Sequence, residues 1–153
     1  MKIKHFFILI LACSVCSACQ KQSEGNCLAE PVALQILSAN VRIVDKTTGA
    51  DLFLSPASPY KLSDLKVTSS LTGSNVTLIV DSVQKDKRFV RIIGYEAQTF
   101  ILKLAALSAD TVRMDVSVTR GECYSTSSVS AIALNGKTVC APCGVNDIVT
   151  IDK

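Results

Sequence analysis

The stretch Thr111-Val112-Arg113-Met114-Asp115-Val116-Ser117-Val118-Thr119 alternates apolar and polar side chains without a break. Successive side chains of a strand point to opposite faces, so Val112, Met114, Val116 and Val118 gather on one face and their polar neighbours on the other. The period is two, not the 3.6 of a helix. This predicts a half-buried strand with one wet face, which is the signature of antiparallel pairing.

Working outward, residues 99–105 (TFILKLA) repeat the pattern, with Phe100, Leu102 and Leu104 on one side. Residues 76–83 (VTLIVDSV) and 89–93 (FVRII) alternate less cleanly, which predicts more central strands. Residues 33–37 and 41–44 are short apolar runs, and residues 147–151 read as a closing strand. Turn chemistry separates these runs. Asn135-Gly136 supplies the positive φ angles of a two-residue hairpin. Thr47-Thr48-Gly49, Thr72-Gly73-Ser74-Asn75, Lys85-Asp86-Lys87 and Ser108-Ala109-Asp110 are further breaks. Ser55-Pro56-Ala57-Ser58-Pro59 is barred from a central strand because proline lacks a ladder donor. Ser63-Asp64-Leu65 opens a single helical turn. The expected fold is all-β: an antiparallel β-sandwich, Ig-like or transthyretin-like, of about seven to nine strands. An open barrel is the structural alternative.

The 153 residues suffice for one domain. Hydrophobic residues make up 48% and aromatics 5%, with no Trp, so aliphatic packing must fill the interior. The formal charge is +3, but Lys2 and Lys4 sit in a leader that is expected to be removed. No run of Lys and Arg remains in the body, so nucleic acid, which needs clustered cations and stacking aromatics, is not an expected partner.

The leader is residues 1–18. A basic start, Met1-Lys2-Ile3-Lys4-His5, precedes the apolar run Phe6-Phe7-Ile8-Leu9-Ile10-Leu11-Ala12. That run lies in the secretory range and far below the roughly 20 residues that span a bilayer. Cys13, Cys16 and Cys19 come next, among small residues. An apolar core, small residues and then Cys resemble the lipobox of bacterial lipoproteins, in which the thiol is acylated and becomes the mature N-terminus. Cys19 is the favoured lipidation site, following Ser17-Ala18 and opening a polar stretch. Cys13, after Ile10-Leu11-Ala12, is the alternative. Residues 19–28 then form a lipidated N-terminus and flexible tether, and residues 29–153 the sandwich. The expected partner is the membrane, through the anchor, together with an envelope protein, and the expected location is the outer membrane or periplasmic face.

Ile43-Val44-Asp45-Lys46-Thr47-Thr48-Gly49-Ala50-Asp51-Leu52-Phe53, with Tyr60 and Leu65-Lys66-Val67 after it, resembles small uncharacterised lipoproteins of Bacteroidota-type bacteria. These also carry a late Cys before a strand ending in an Asn-Gly-Lys turn, matched here by Cys123 and Asn135-Gly136-Lys137. The resemblance implies a secreted β-sandwich and no known activity. Cys140 and Cys143 are outside that pattern.

Cys27, Cys123, Cys140 and Cys143 are disulfide candidates, since an even number of cysteines in an exported chain reads as crosslinks. Cys123 is expected to pair with Cys140 or Cys143 across the Asn135-Gly136 hairpin, a loop worth about 3 kcal/mol. Cys27 takes the remaining thiol. Cys140-Ala141-Pro142-Cys143 also resembles the thioredoxin-type CxxC, but residues 144–153 offer no helix to activate a thiol. A zinc site built from all four cysteines lacks ligand spacing in its second half.

The only histidine, His5, is in the leader, which removes Ser-His-Asp, Cys-His and His-metal chemistry from the mature chain. Asp81, Asp86, Glu96, Asp110 and Asp115 fall in turns or on strand faces and read as surface charge rather than a glycosidase pair. Asp45 and Asp51 lack EF-hand spacing. No phosphate-cradling loop appears. No catalytic residue, cofactor or metal site is assigned. The expected role is a non-catalytic binding module, with a structural accessory subunit or a thiol–disulfide protein using Cys140 and Cys143 as alternatives.

Overall fold

The alternation around Met114 falls in the longest strand among the described residues. The computed structural model describes residues 35–81, 88–121 and 123–153. The leader, Cys13, Cys19, Cys27 and residues 85–87 lie outside them. The chain clusters into two units, Met1–Pro31 and Val32–Lys153, and the second holds all the strands described.

These strands are β1 (Leu37–Val44), β2 (Leu65–Ser69), β3 (Leu78–Asp81), β4 (Phe89–Gly94), β5 (Gln98–Leu104), β6 (Asp110–Arg120), β7 (Ser125–Leu134), β8 (Lys137–Cys140) and β9 (Ile148–Asp152). One 3-10 turn, Leu62–Asp64, leads into β2 where Ser63-Asp64-Leu65 predicts a helical turn. The strands form two sheets, ordered β3-β4-β1-β9 and β2-β5-β6-β7-β8. All pairings are antiparallel except β1 with β9. The fold is therefore an all-β sandwich. Strands β5 to β8 run as a meander, while the chain changes sheet between β1 and β2, β2 and β3, β4 and β5, and β8 and β9.

Each sheet turns its apolar face inward. Val41, Ile43, Val90, Ile92, Val149 and Ile151 from the first sheet meet Val67, Phe100, Leu102, Val112, Met114 and Ile132 from the second in one cluster. At Gly94 side chains of the second sheet come against the β4 backbone. A Cβ there would stand 2.6 Å from Met114 Cε, 2.9 Å from Gln98 Nε2 and 3.3 Å from Phe100 Cζ, so a larger residue obliges the ends of the Met114 and Gln98 side chains to move aside.

Two strands differ from expectation. The sequence predicts a central strand within residues 76–83, but β3 is an edge strand with Ile79 and Val80 exposed. Incomplete alternation reports mixed burial, and an edge strand produces that as readily as a central one. On β6 the alternation outlasts the core. β5 pairs with β6 only as far as Met114, a register shift falls between Asp115 and Val116, and Val118 is 59% exposed. Just beyond the bulge Val116 and Val129 still pack against the core, and from Ser117 on β6 is exposed and runs with β7 as a hairpin arm.

The turns agree with the sequence. Asn135 and Gly136 take φ of 50° and 81°, joining β7 to β8. Asp45 is the acceptor of the turn after β1, taking Thr47 N at 3.0 Å, Thr48 N at 2.7 Å and Thr48 Oγ1 at 2.9 Å. The Thr48 backbone N–H, then its hydroxyl, hold the Asp45 carboxyl below its ordinary pKa. The folded state thus binds the proton less readily than the unfolded chain. This contribution to stability is complete above the ordinary aspartate range and is lost as pH falls through the lowered value. An NMR titration is expected to place the Asp45 midpoint below that of a free aspartate, and Thr48→Val to return it part of the way.

The two sheets are also tied by charge. Lys153 Nζ lies 2.6 Å from Asp110 Oδ2, with both side chains about nine-tenths buried, and donates to Ser108 O at 2.6 Å. Asn135 Nδ2 donates to Asp110 Oδ1 at 2.9 Å. Lys153 lies just past β9 in the first sheet, whereas Asp110 opens β6 in the second.

Candidate functional site

β1 is flanked unevenly. On one side β4 pairs with it from Leu37, but on the other β9 joins only at Asn40, opposite Ile148. Before Asn40, the chain that will become β9 bends away as residues 143–147. A cleft of about 210 Å³ opens in that gap, between the start of β1, the β7 side of the hairpin arm and the bend. Its apolar walls include Leu37, Val129 and Ile132, and Ser38, Ser127 and Ser128 add hydroxyls. Ile36 and Val145 stand on the rim, 64% and 89% exposed.

The bend is held from three directions. Asn40, 3% exposed, donates through Nδ2 to Val145 O at 3.0 Å and Asp147 O at 3.3 Å. The Asp147 carboxylate accepts from Gly144 N at 2.7 Å. Cys140 and Cys143 are joined, with Cα atoms 5.1 Å apart. Asn40 Oδ1 is buried and has no hydrogen-bond partner among the described residues. Nearby, Gln35 Oε1 accepts from Ser127 N and ties the entry of β1 to the arm.

The Cys140–Cys143 bond replaces the expected pairing of Cys123 with either residue. The Asn135-Gly136 turn does fold β8 back on β7, but β8 is short and sets Cys140 opposite Ile132. Cys123 precedes Ser125, at the other end of β7, roughly 20 Å or more along the strand, whereas a disulfide needs Cα atoms within about 7 Å. Cys123 is itself disulfide-bonded, and the expectation for Cys27 falls outside the described residues. A bridge closing so short a loop adds about 2 kcal/mol on the chain-entropy estimate, so its larger effect is local, shaping the bend. No helix begins at Cys140, because the chain runs through the bend into β9.

The carboxylates picked out in the sequence are dispersed. Asp81 pairs with Arg91 at 3.1 Å, Asp115 with Arg113 at 2.8 Å and Asp110 with Lys153. Glu96 is exposed, and Asp86 lies outside the described residues. Asp45 and Asp51 each cap their own turn, Asp51 accepting from Phe53 N and Leu54 N. No group of three or more His, Cys, Asp or Glu side chains with metal-holding geometry occurs among the described residues. A wider depression of about 380 Å³ near Leu71, Thr99 and Arg113 includes the closed Arg113–Asp115 pair in its wall and has no orphaned buried group.

Sequence reasoning located neither the cleft nor Asn40. The only signal available was an Asn inside an otherwise apolar strand, Ala39-Asn40-Val41, a position where an amide side chain must find backbone partners. No protein-family model, curated protein or solved structure matches the chain.

Proposed function

We propose that the chain is an exported lipoprotein, anchored through an acylated Cys19, whose sandwich is a non-catalytic binding module of the cell envelope. The leader supports the export and the anchor. Among the described residues no helix is long and apolar enough to cross a membrane. The binding reading rests on one observation: the cleft beside β1, with Ile36 and Val145 held out to solvent on its rim. A bend fixed by Asn40 and by a disulfide keeps Val145 exposed at the expense of its hydration, and exposed apolar groups around a concavity mark interaction sites.

A photo-crosslinking amino acid placed at Val145 in cells tests this. The expected product is a discrete adduct with an envelope protein, absent when the same group replaces Lys66 on β2, in the other sheet. Equal labelling from both positions, or none from Val145, contradicts the reading.

A thiol–disulfide role is the second reading, and the bonded Cys140–Cys143 pair beside the cleft is what favours it. Insulin reduction by the wild type and not by Cys140→Ser/Cys143→Ser would establish it; no difference between the two would remove it.

A further inference from the structure

The main chain of Lys153 is fixed on both sides. Its N–H donates to Val44 O at 2.9 Å and its carbonyl accepts from Lys46 N at 2.7 Å, which seats it against the end of β1. Its Nζ donates to Ser108 O at 2.6 Å and to Ser108 Oγ at 2.9 Å, and lies 2.6 Å from Asp110 Oδ2. Each of the three ammonium protons thus has an acceptor. The other carboxylate oxygen of Asp110, Oδ1, accepts from Asn135 Nδ2 at 2.9 Å. Asn135 is oriented in turn by Thr111 N, which donates to its Oδ1 at 2.8 Å.

These contacts make an ion pair, and they also set an amine against a carboxyl carbon. Asp110 Cγ is one bond beyond Oδ2, so it lies no more than about 3.8 Å from Nζ, within reach of the ~3–3.5 Å at which reacting atoms are poised. Both side chains are about nine-tenths buried, and an ion pair there keeps two charges out of water at a cost that a neutral amide does not carry. Effective molarities of well-oriented intramolecular pairs reach about 10⁵–10⁸ M, which offsets the reluctance of amines and acids to condense in water. An amide would keep one N–H on this nitrogen, and Ser108 O is already in place to accept it.

We propose that Lys153 and Asp110 condense to an isopeptide bond that ties the two sheets covalently. The ammonium passes one proton to Oδ2, and the free amine attacks Cγ. Charge gathers on Oδ1 in the tetrahedral intermediate, where the Asn135 Nδ2–H acts as the oxyanion donor. A second proton moves from the nitrogen to Oδ2, the Cγ–Oδ2 bond breaks and water leaves. One N–C bond has replaced one C–O bond, with no oxidant or reductant involved. Residues 110–153, which include β6 to β9, then form a closed covalent loop.

Tryptic mapping of the native protein recovered from cells, reduced and alkylated, tests this. The expected product is a branched peptide that joins residues 104–113 to residues 138–153 through the Lys153 amine, lighter than the two fragments together by one water. Lys153→Arg keeps a cation beside Asp110 and is expected to fold without forming the branch. Asn135→Gly suits the positive φ of that position and removes the oxyanion donor. In isotope-pulsed cells it is expected to slow the appearance of the branch by about a hundredfold. Two separate fragments with a free Lys153 amine, from folded wild type, overturn the proposal. Loss of water confined to residues 104–113 also overturns it, since that marks a cyclic imide at Asp110. A branch lighter by one ammonia that joins Lys153 to Asn135 overturns it in favour of Asn135 as the acyl donor. An unchanged rate in Asn135→Gly overturns the role given to that side chain. The mapped fragments lie within the sandwich, so the outcome is independent of the lipid anchor.

Discussion

Lys153→Met is expected to destabilise the sandwich by about 3–5 kcal/mol, the cost of leaving a buried charge without its partner. Asp110 Oδ2 would lose an ammonium at 2.6 Å in a site where both side chains are about nine-tenths buried. Asn135 Nδ2, 2.9 Å from Asp110 Oδ1, would remain as a neutral donor and offset only part of the loss. Asp110 also stands at the start of β6 beside Thr111, whose N–H donates to Asn135 Oδ1 at 2.8 Å, so the disturbance reaches the β7–β8 hairpin. The double variant Asp110→Asn/Lys153→Met removes the charge as well as the partner, and is expected to recover much of the loss. Urea unfolding with unchanged m-values reads both numbers. A loss below about 1 kcal/mol would mean that the pair behaves as a surface ion pair and not as the tie between the two sheets.

Phe100→Ala is expected to cost about 3–5 kcal/mol, a large share of the roughly 5–15 kcal/mol that holds a domain of this kind folded. Phe100 is fully buried in β5, and its ring edge would stand 3.3 Å from a Cβ at Gly94 of β4. Removing the ring leaves a void between two backbones that cannot close, because β4 and β5 are each held by strands on both sides. Phe100→Leu should cost much less, since a branched aliphatic chain refills most of the space. Thermal or urea unfolding of both variants checks the contrast. Equal losses would show that the ring's edge, not its volume, carries the contact.

Much of this fold is readable from local pattern. The inward faces of β5 and of the first half of β6 are the apolar sets of residues 99–105 and 111–119, and Asn135-Gly136 marks its own hairpin. These features depend on neighbours in the chain, so the chain displays them. What stays hidden depends on pairing at a distance. Leu78–Asp81 looks the same whether β3 has one neighbour or two, and Val118 alternates as regularly as Val112 although β5 has ended beside it. The expected Cys123 bridge fails on strand length, a register property that the Asn-Gly turn does not specify. Lys153 and Asp110 come from opposite sheets, and nothing at either position announces the other. The cleft is the extreme case, because it exists only through the late arrival of β9 on β1 and no residue encodes that offset by itself.

The central claim is export with lipidation, since the tether, the oxidised cysteines and an envelope partner all depend on it. Intact-mass analysis and non-reducing peptide mapping of the native protein recovered from cells test it most directly. The account predicts a chain that begins at Cys19 carrying acyl groups, with the four body cysteines closed in bridges, one of them Cys140–Cys143. A soluble cytosolic chain that retains Met1 and has all seven thiols free would contradict it.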